Sequence, residues 1–598
     1  MAINGIIRFA TCGSTCLSID FIMTRFDLGI ILLSTMFFMF LVGVISYRLT
    51  RGTVLSKDGY FLAGRGLSAW FIAGSLLLTN LSAEQLIGLN GSAYGYNLSS
   101  MAWEVTAAFS TICMAFFFLP RYLAGGFTTL PQFLSDRFDD DVRKLSVILF
   151  ILGYGLVTIP SVLYSGSIAV LQLFNVPELL NVSYEHSLFF TILIIGGIGS
   201  MYAVFGGLRA VAVSDTLNGI GLLIIGLMVP LLGLSLLGEG SVAVGLRIVL
   251  TENTHKLNAI GSPSDPTPFP TLFTGMVFEN LFYWCSNQYV IQRTLGAKSL
   301  AEGQKGVLFS GFFKVLVPFL MMFPGLIAFH LYGPSEPGAG LASIDLAYPQ
   351  LVTDVLPVYA MGFFLAVLLG AVFSSFNSLL NSAATLFCLD IYLPYKNRRG
   401  GTSVSDSDVI RTAKYASLVI ALFSFIVAPL LQYAPEGLWQ VIRRFTGFYN
   451  IPIIAIVLVG FFAKQVPALG PKLVIGFHII TYGLIKFVFH DLIDLHFLHL
   501  YAILFIIEIS LMLLIGRLCP RKHISERDPS LSPVSLRSWR FALPCSLSLV
   551  SLVVALYVLL SPIGLVGETQ LLFWPINISL IFLNLIVWSG FLRKHLWE

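Results

Sequence analysis

The chain reads as a succession of long apolar runs separated by short polar segments, the pattern of helices that cross a bilayer. A crossing helix needs about 20 mostly apolar residues, and runs of that length predict about fifteen passes. They fall at 28–47, 67–92, 99–119, 145–173, 185–205, 211–237, 271–291, 306–332, 357–390, 412–431, 439–463, 472–490, 497–516, 541–561 and 570–592. The short alternating strands of a membrane β-barrel are absent. The longest connections, 120–144, 238–270, 333–356, 391–411 and 517–540, are shorter than an independent domain of about 50 residues. The expected fold is an all-α polytopic membrane protein without an appended catalytic or signalling domain. Residues 1–22 hold Arg8 inside an apolar stretch and form neither a signal peptide nor a span, so Met23 is an alternative start to Met1.

Composition narrows the class. Of 598 residues, 56% are hydrophobic and 11% charged, where soluble domains carry roughly 25% charged residues. The mean hydropathy is +0.86. A soluble enzyme, a nucleic-acid binder, a disordered chain and a coiled coil are excluded. The net charge of +4 says less than its distribution. With sides alternated, the loops 48–66, 120–144, 206–210, 292–305, 391–411, 464–471, 517–540 and 593–598, with flanking helix ends, hold 27 of the 35 Lys and Arg residues. The opposite side holds Arg8, Arg25, Arg247 and Lys256. Positive loops stay cytoplasmic, which predicts an external N-terminus and a cytoplasmic C-terminus. The seven cysteines are scattered, Cys12 and Cys16 among them, and the nine histidines are dispersed. Neither a disulfide framework nor a metal or catalytic cluster is visible.

Chemistry in such a chain sits where the apolar pattern fails. In the second span, apolar helix gives way to Thr79, Asn80, Ser82, Glu84 and Gln85, then to Gly88, Gly91 and Gly95. A polar break flanked by glycines suggests an unwound helix lining a cavity. The ordinary alternative is a helix leaving the bilayer, but apolar Leu86, Ile87 and Leu89 follow the break. The seventh span repeats the pattern with Glu279, Asn280, Ser286, Asn287 and Gln288. It comes five spans later, an odd number, so it would run inverted. Interrupted helices at corresponding positions of inverted repeats point to a transporter binding site. The ninth span carries Ser374 and Ser375 after Ala371. Such hydroxyls either bond back to the preceding turn or, with carbonyls freed by an unwound helix, form an oxygen cage for sodium; calcium and magnesium would want more carboxylates. Charges inside spans are rare: Lys314, Glu104, Asp215 and Glu279. Lys314 could snorkel, Glu104 could serve its helix's first turn, and Asp215 suits an interhelix pair.

Particular strings then become recognisable. Asp58-Gly59-Tyr60-Phe61-Leu62-Ala63-Gly64-Arg65, Asn80-Leu81-Ser82-Ala83-Glu84-Gln85, Gly206-Gly207-Leu208-Arg209-Ala210, Tyr283-Trp284, Gln292-Arg293-Thr294-Leu295 and Asn381-Ser382-Ala383-Ala384-Thr385 resemble the sodium:solute symporter family. The likeness runs from about residue 28 to 465 and is strongest to the sodium/glucose and sodium/galactose branch. It implies a five-plus-five inverted-repeat core working by alternating access, with repeats at 67–237 and 271–463. An N-terminal extension (1–27), a first peripheral helix and loop (28–66) and C-terminal peripheral helices (464–598) would flank them. It also implies a sodium site from the carbonyls of Leu78, Leu81 and Ala371 with the hydroxyls of Ser374 and Ser375. A sugar site would use Gln85, Glu104, Asn280 and Lys314, Tyr283 would stack on the ring as inner gate, and Asp215 would serve cation exit. Thr158, Ala107 and Arg443 depart from the branch pattern and bear on which sugar fits.

The expected function is sodium-coupled symport of a hexose such as galactose or glucose in a cell inner membrane. No organic cofactor, nucleic-acid partner or enzymatic activity is expected. The alternatives are a sugar acid or other organic solute, proton coupling, and a non-transporting membrane sensor. Arg443, beside Arg444, is expected to be a solvated charge at the end of its helix, which favours a neutral solute.

Overall fold

A computed structural model describes residues 25–596 except 51–55, 175, 335–339, 342, 399–404, 434–437, 490–491, 493–494, 522–531 and 568–569. The expectations for Cys12, Cys16 and the alternative start at Met23 lie outside the described residues. Apolar runs become helices throughout, because a backbone in hydrocarbon must satisfy its own polar groups. Among the described residues there is no β-strand, only isolated bridges pairing Leu67 with Ala297 and Ser299 with Ser535.

The main helices in chain order begin with α1 (Arg25–Thr50), α2 (Ala69–Asn80), α3 (Ala83–Gly95) and α4 (Leu98–Ala124). Then come the short α5 (Leu130–Arg137), α6 (Asp140–Leu171), α7 (Tyr184–Leu237), α8 (Gly275–Cys285) and α9 (Gln288–Leu295). The second half holds α10 (Leu300–Tyr332), α11 (Val358–Arg398), α12 (Asp406–Tyr433) and α13 (Leu438–Phe462). The chain closes with α14 (Leu469–Phe487), α15 (Phe497–Leu518), α16 (Ala542–Leu559) and α17 (Phe573–Leu596). Among the described residues, eleven helices are each long and apolar enough to cross a membrane, and the pair α2–α3, bent by 59°, is a twelfth candidate. The other predicted passes fall on the first half of α7, on the pair α8–α9 and on α14.

Helix α7 runs over 54 residues, about 81 Å if straight at 1.5 Å per residue. Its contacts show that it is not straight. Gly199 packs against Phe376 of α11, and Asn218 packs against Gly370 of the same helix. Residues 370 and 376 lie about 9 Å apart along α11, whereas 199 and 218 would lie about 28 Å apart along one helix. The chain doubles back between them, so its two halves are separate crossings. Two sets of passes result, α2 to α7 and α8 to α13, each opening on a broken helix.

Helix α11 is central and touches α1, α2, α6, α7 and α12. Small residues let the helices approach: a Cβ on Gly74 would lie 2.7 Å from Thr216 Oγ1, and one on Gly370 2.7 Å from the Asn218 amide. At one end of the bundle, ion pairs join Arg143 to Asp390 at 2.6 Å, Arg398 to Asp140 at 2.5 Å and Lys472 to Asp139 at 2.7 Å. Three of the loops assigned to one side by charge, 120–144, 391–411 and 464–471 with their flanks, meet there.

At that end Arg137 caps α13. Its Nε donates to Gly460 O at 3.0 Å and Nη2 to Ala463 O at 2.8 Å. A guanidinium suits the orphan carbonyls and negative end of a helix C-terminus. Charged hydrogen bonds are worth about 1.5–3 kcal/mol, so Arg137→Ala is expected to lower the unfolding temperature in detergent by several degrees, with Arg137→Lys intermediate. An unchanged melting curve for Arg137→Ala would remove this cap from the account of stability.

Candidate functional site

The site begins at two backbone breaks. At the first, Leu81 (φ −81°, ψ 77°) and Ser82 (φ −92°, ψ 170°) leave the helical region. Ser82 N donates to Asn80 O at 3.0 Å rather than to Leu78 O, its partner in a continuous helix. The carbonyl of Leu78 thereby loses its helical donor. At the second, the N–H groups of Ser286 and Asn287 both turn back onto Phe282 O, at 2.8 and 2.9 Å. Asn287 then accepts from the Tyr154 hydroxyl at 2.6 Å.

A cavity lies between the breaks. Thr79, Asn80, Glu84 and Gln85 line it from α2 and α3, and Thr158 from α6. Glu279, Tyr283, Asn287 and Tyr289 line it from α8, α9 and their junction, Ser375 from α11, and Arg443, Tyr449 and Asn450 from α13. Glu279 Oε1 accepts from Asn450 Nδ2 at 2.7 Å and faces Arg443 Nη1 at 3.4 Å. The Arg443 guanidinium lies 4.2 Å from the centre of the Trp103 ring. Glu279 Oε2, Gln85 Oε1, Asn450 Oδ1 and Thr79 Oγ1 are buried with no hydrogen-bond partner among the described residues. The cavity therefore presents spare acceptor oxygens beside aromatic faces.

The structure divides the expected solute residues. Gln85, Thr158, Tyr283 and Arg443 line the cavity. Glu104, Lys314 and Asn280 turn to one another's helices instead. Lys314 Nζ donates to Glu104 Oε2, both side chains being almost fully buried, and Asn280 Nδ2 donates to Thr106 Oγ1 at 2.9 Å. Two opposite charges excluded from water are far less costly paired than apart. Asn280 follows Glu279, and successive helical residues point about 100° apart; Glu279 takes the cavity and Asn280 the flank. The expectation that Arg443 is solvated is corrected on the same geometry. Its side chain is 14% exposed against Glu279, while Arg444 is the exposed one.

Of the expected cation ligands, Ala371, Ser374 and Ser375 share α11, and Leu81 lies against that helix. Leu81 and Ala371 wall one narrow gap, which brings α11 to the first break. Ser374 Oγ and Ser375 Oγ are buried and close no regular hydrogen bond, with the Asp215 carboxylate beside Ser374. Asp215 itself forms the interhelix pair: Oδ2 accepts from Ser75 Oγ at 2.6 Å and lies 3.7 Å from Arg293 Nη2. Arg293 is wholly buried and also donates to Ser378 Oγ and Tyr289 O. Its role was not assigned from sequence, nor were those of Glu84, Glu279 and Asn450 in the cavity wall. For the charged three, the usable signal is ionisable residues inside apolar runs. Asn450 carried none, being one polar residue on an otherwise packed helix.

Comparison with known proteins gives this geometry a family. The sodium:solute symporter family model matches residues 60–472. The chain is 41% identical to the uncharacterized symporter YidK of Escherichia coli strain K12, over 94% of this chain and 97% of that one. It is 33% identical to the sodium/glucose cotransporter of Vibrio parahaemolyticus, over 72% and 79%. It is 29% identical to the human sodium/myo-inositol cotransporter 2, over 73% and 66%. A solved sodium-coupled sialic acid symporter shares the fold at TM-score 0.69 and 20% identity, covering 84% of this chain and all of that one. A nucleobase-cation-symport-1 family transporter follows at TM-score 0.52 and 12% identity, over 79% and 97%. The fold is the inverted-repeat transporter fold. With the family match covering most of its length, this multi-pass membrane protein belongs to the sodium:solute symporter family, a family of secondary transporters driven by sodium.

Proposed function

We propose that the chain imports a neutral polyhydroxylated solute, a hexose such as galactose or glucose, together with sodium across a cell inner membrane. The observation that carries this reading is the donor–acceptor balance of the cavity. Among the described residues, its spare buried atoms include four acceptor oxygens, Glu279 Oε2, Gln85 Oε1, Asn450 Oδ1 and Thr79 Oγ1. A hydroxyl-rich ligand supplies the donors they lack, and Tyr283 and Tyr449 offer aromatic faces to a ring. Two carboxylates, Glu84 and Glu279, share the wall with one guanidinium, Arg443, which disfavours an anion. The names of the Vibrio and human relatives, glucose and myo-inositol cotransporters, agree with a neutral polyol.

In this reading sodium binds the Leu78, Leu81 and Ala371 carbonyls with Ser374 and Ser375, joining the first break to α11 and favouring the outward-open state. Solute then enters beside the same break, and inward rocking releases both. The membrane potential adds about 2.3 kcal/mol per charge per 100 mV. Asp215 lies on the cytoplasmic side of the cation site and serves its exit. Glu104, Lys314 and Asn280 support α4, α8 and α10 around the cavity. A sugar acid is the second reading, favoured by the one observation that Arg443 faces the cavity.

Removing one hydroxyl from the cation cage loses a contact worth about 1.5–3 kcal/mol. Ser375→Ala is expected to weaken apparent sodium affinity roughly ten- to hundredfold by the same measure. Uptake into proteoliposomes against sodium concentration measures this; unchanged sodium dependence would show the cation site to be elsewhere. In the same assay, galactose or glucose should compete for uptake and hexuronates should not. Arg443→Gln leaves Glu279 without its countercharge and is expected to raise the solute KM about tenfold, one such charged contact. Uronate uptake abolished by Arg443→Gln would establish the second reading.

The orientation, external N-terminus and cytoplasmic C-terminus, has its own test. In a cysteine-free background on intact cells, an impermeant thiol reagent should label Ser264→Cys but reach Ser407→Cys only after permeabilisation. Both positions are exposed, so the reverse pattern would invert the topology.

A further inference from the structure

Three polar side chains from the C-terminal helices grip one turn of α13, and that turn carries Arg443. Tyr501 of α15 donates to Arg443 O at 2.6 Å, and Tyr482 of α14 donates to Arg444 O at 2.9 Å. His478 Nε2 lies 2.9 Å from Gly447 O. A carbonyl only accepts, so Nε2 carries the hydrogen. Nδ1 faces Glu508 Oε1 at 2.5 Å, and both side chains are fully buried. The carboxylate thus orients the ring that holds the carbonyl. Gly447 permits the close approach, since a Cβ there would lie 2.2 Å from the Tyr501 hydroxyl.

The other end of Arg443 is also held from α15. Its guanidinium lies on Trp103, and Trp103 is stacked on Phe497, ring centres 6.4 Å apart and planes 9° apart. Helix α15 frames the partner of Arg443 as well. Phe505 stacks on Phe278 of α8 at 3.7 Å, one residue before Glu279. Buried polar groups are expensive in a membrane bundle, and three of them here converge on one turn, with Glu508 behind His478.

We propose that Tyr501, with Tyr482 and the His478–Glu508 pair, are positioning residues that fix the aim of Arg443 and so set solute affinity. They lie beyond residue 472, where the family match ends. The inference rests on the reading of Arg443 as solute-facing, given above.

The test is a double-mutant cycle on sodium-driven uptake into proteoliposomes, with galactose and glucuronate as probes. It uses wild type, Tyr501→Phe, Arg443→Gln and the two combined. Tyr501→Phe deletes one hydroxyl and is expected to raise the solute KM about two- to tenfold, the span of one hydrogen bond. Maximal rate and sodium half-saturation should stay at wild-type values. In the Arg443→Gln background, Tyr501→Phe should add nothing, because its effect runs through the arginine. Phe497→Leu, which reaches Arg443 through Trp103 and through the Tyr501 ring 5.5 Å away, should behave likewise and serves if Tyr501→Phe does not accumulate. Additive effects, or a fall in maximal rate with KM unchanged, overturn the positioning role alone. An unaltered solute KM in Arg443→Gln, or wild-type protein that takes up neither probe, overturns the site reading and the positioning role together.

Discussion

A carbonyl inside a bilayer must find a donor or a cation, and this requirement governs the molecule. The chain satisfies it with unbroken helices almost everywhere and suspends it at two places, Leu81–Ser82 and Ser286–Asn287. Irregular backbone survives at membrane depth only when it is enclosed by protein or lines a wet cavity. The surrounding helices supply that enclosure. Helix α11 lies against the first break through Ala371. Tyr154 of α6 reaches the second through Asn287, and Tyr122 of α4 donates to Cys285 O at 2.9 Å.

Buried charges follow the same logic. Glu104 pairs with Lys314, Asp215 with Arg293, Glu279 with Arg443, Asp390 with Arg143 and Glu508 with His478. Each pair joins two different helices. Such pairs add little net stability, but losing one partner leaves an uncompensated charge and is strongly destabilising. They act as registry pins between helices. The pair at Glu279 differs, because both its members line the cavity. It is where a ligand can complete what the protein leaves incomplete.

In the proposed mechanism the first break serves sodium and solute at once. There the Leu78 and Leu81 carbonyls would face α11, while Asn80, Glu84 and Gln85 line the cavity. One stretch of backbone would then serve both sites, and a shift that improves the cation cage would move the solute wall. Coupling of this kind needs a differential affinity of each ligand for the two states.

Much of this was legible in the residues. Apolar run length determined the helices, because hydrocarbon leaves the backbone no other partner. The clusters Thr79–Gln85 and Glu279–Gln288 marked both breaks, because polar residues at that depth have few other uses. Lys and Arg placement grouped the loops that Arg143, Arg398 and Lys472 draw together at one end. What the sequence could not decide was direction around each helix and pairing across helices. Glu279 and Asn280 are neighbours in sequence, yet one faces the cavity and the other Thr106. Arg443 and Arg444 divide in the same way, and only the placement of Trp103, Glu279 and Tyr501 assigns Arg443 inward. Glu104 and Lys314, 210 residues apart, face each other because α4 and α10 pack together, and no local pattern encodes that contact. Rotation about a helix axis and the choice of partner depend on residues far away in the chain, so those features belong to the tertiary structure alone.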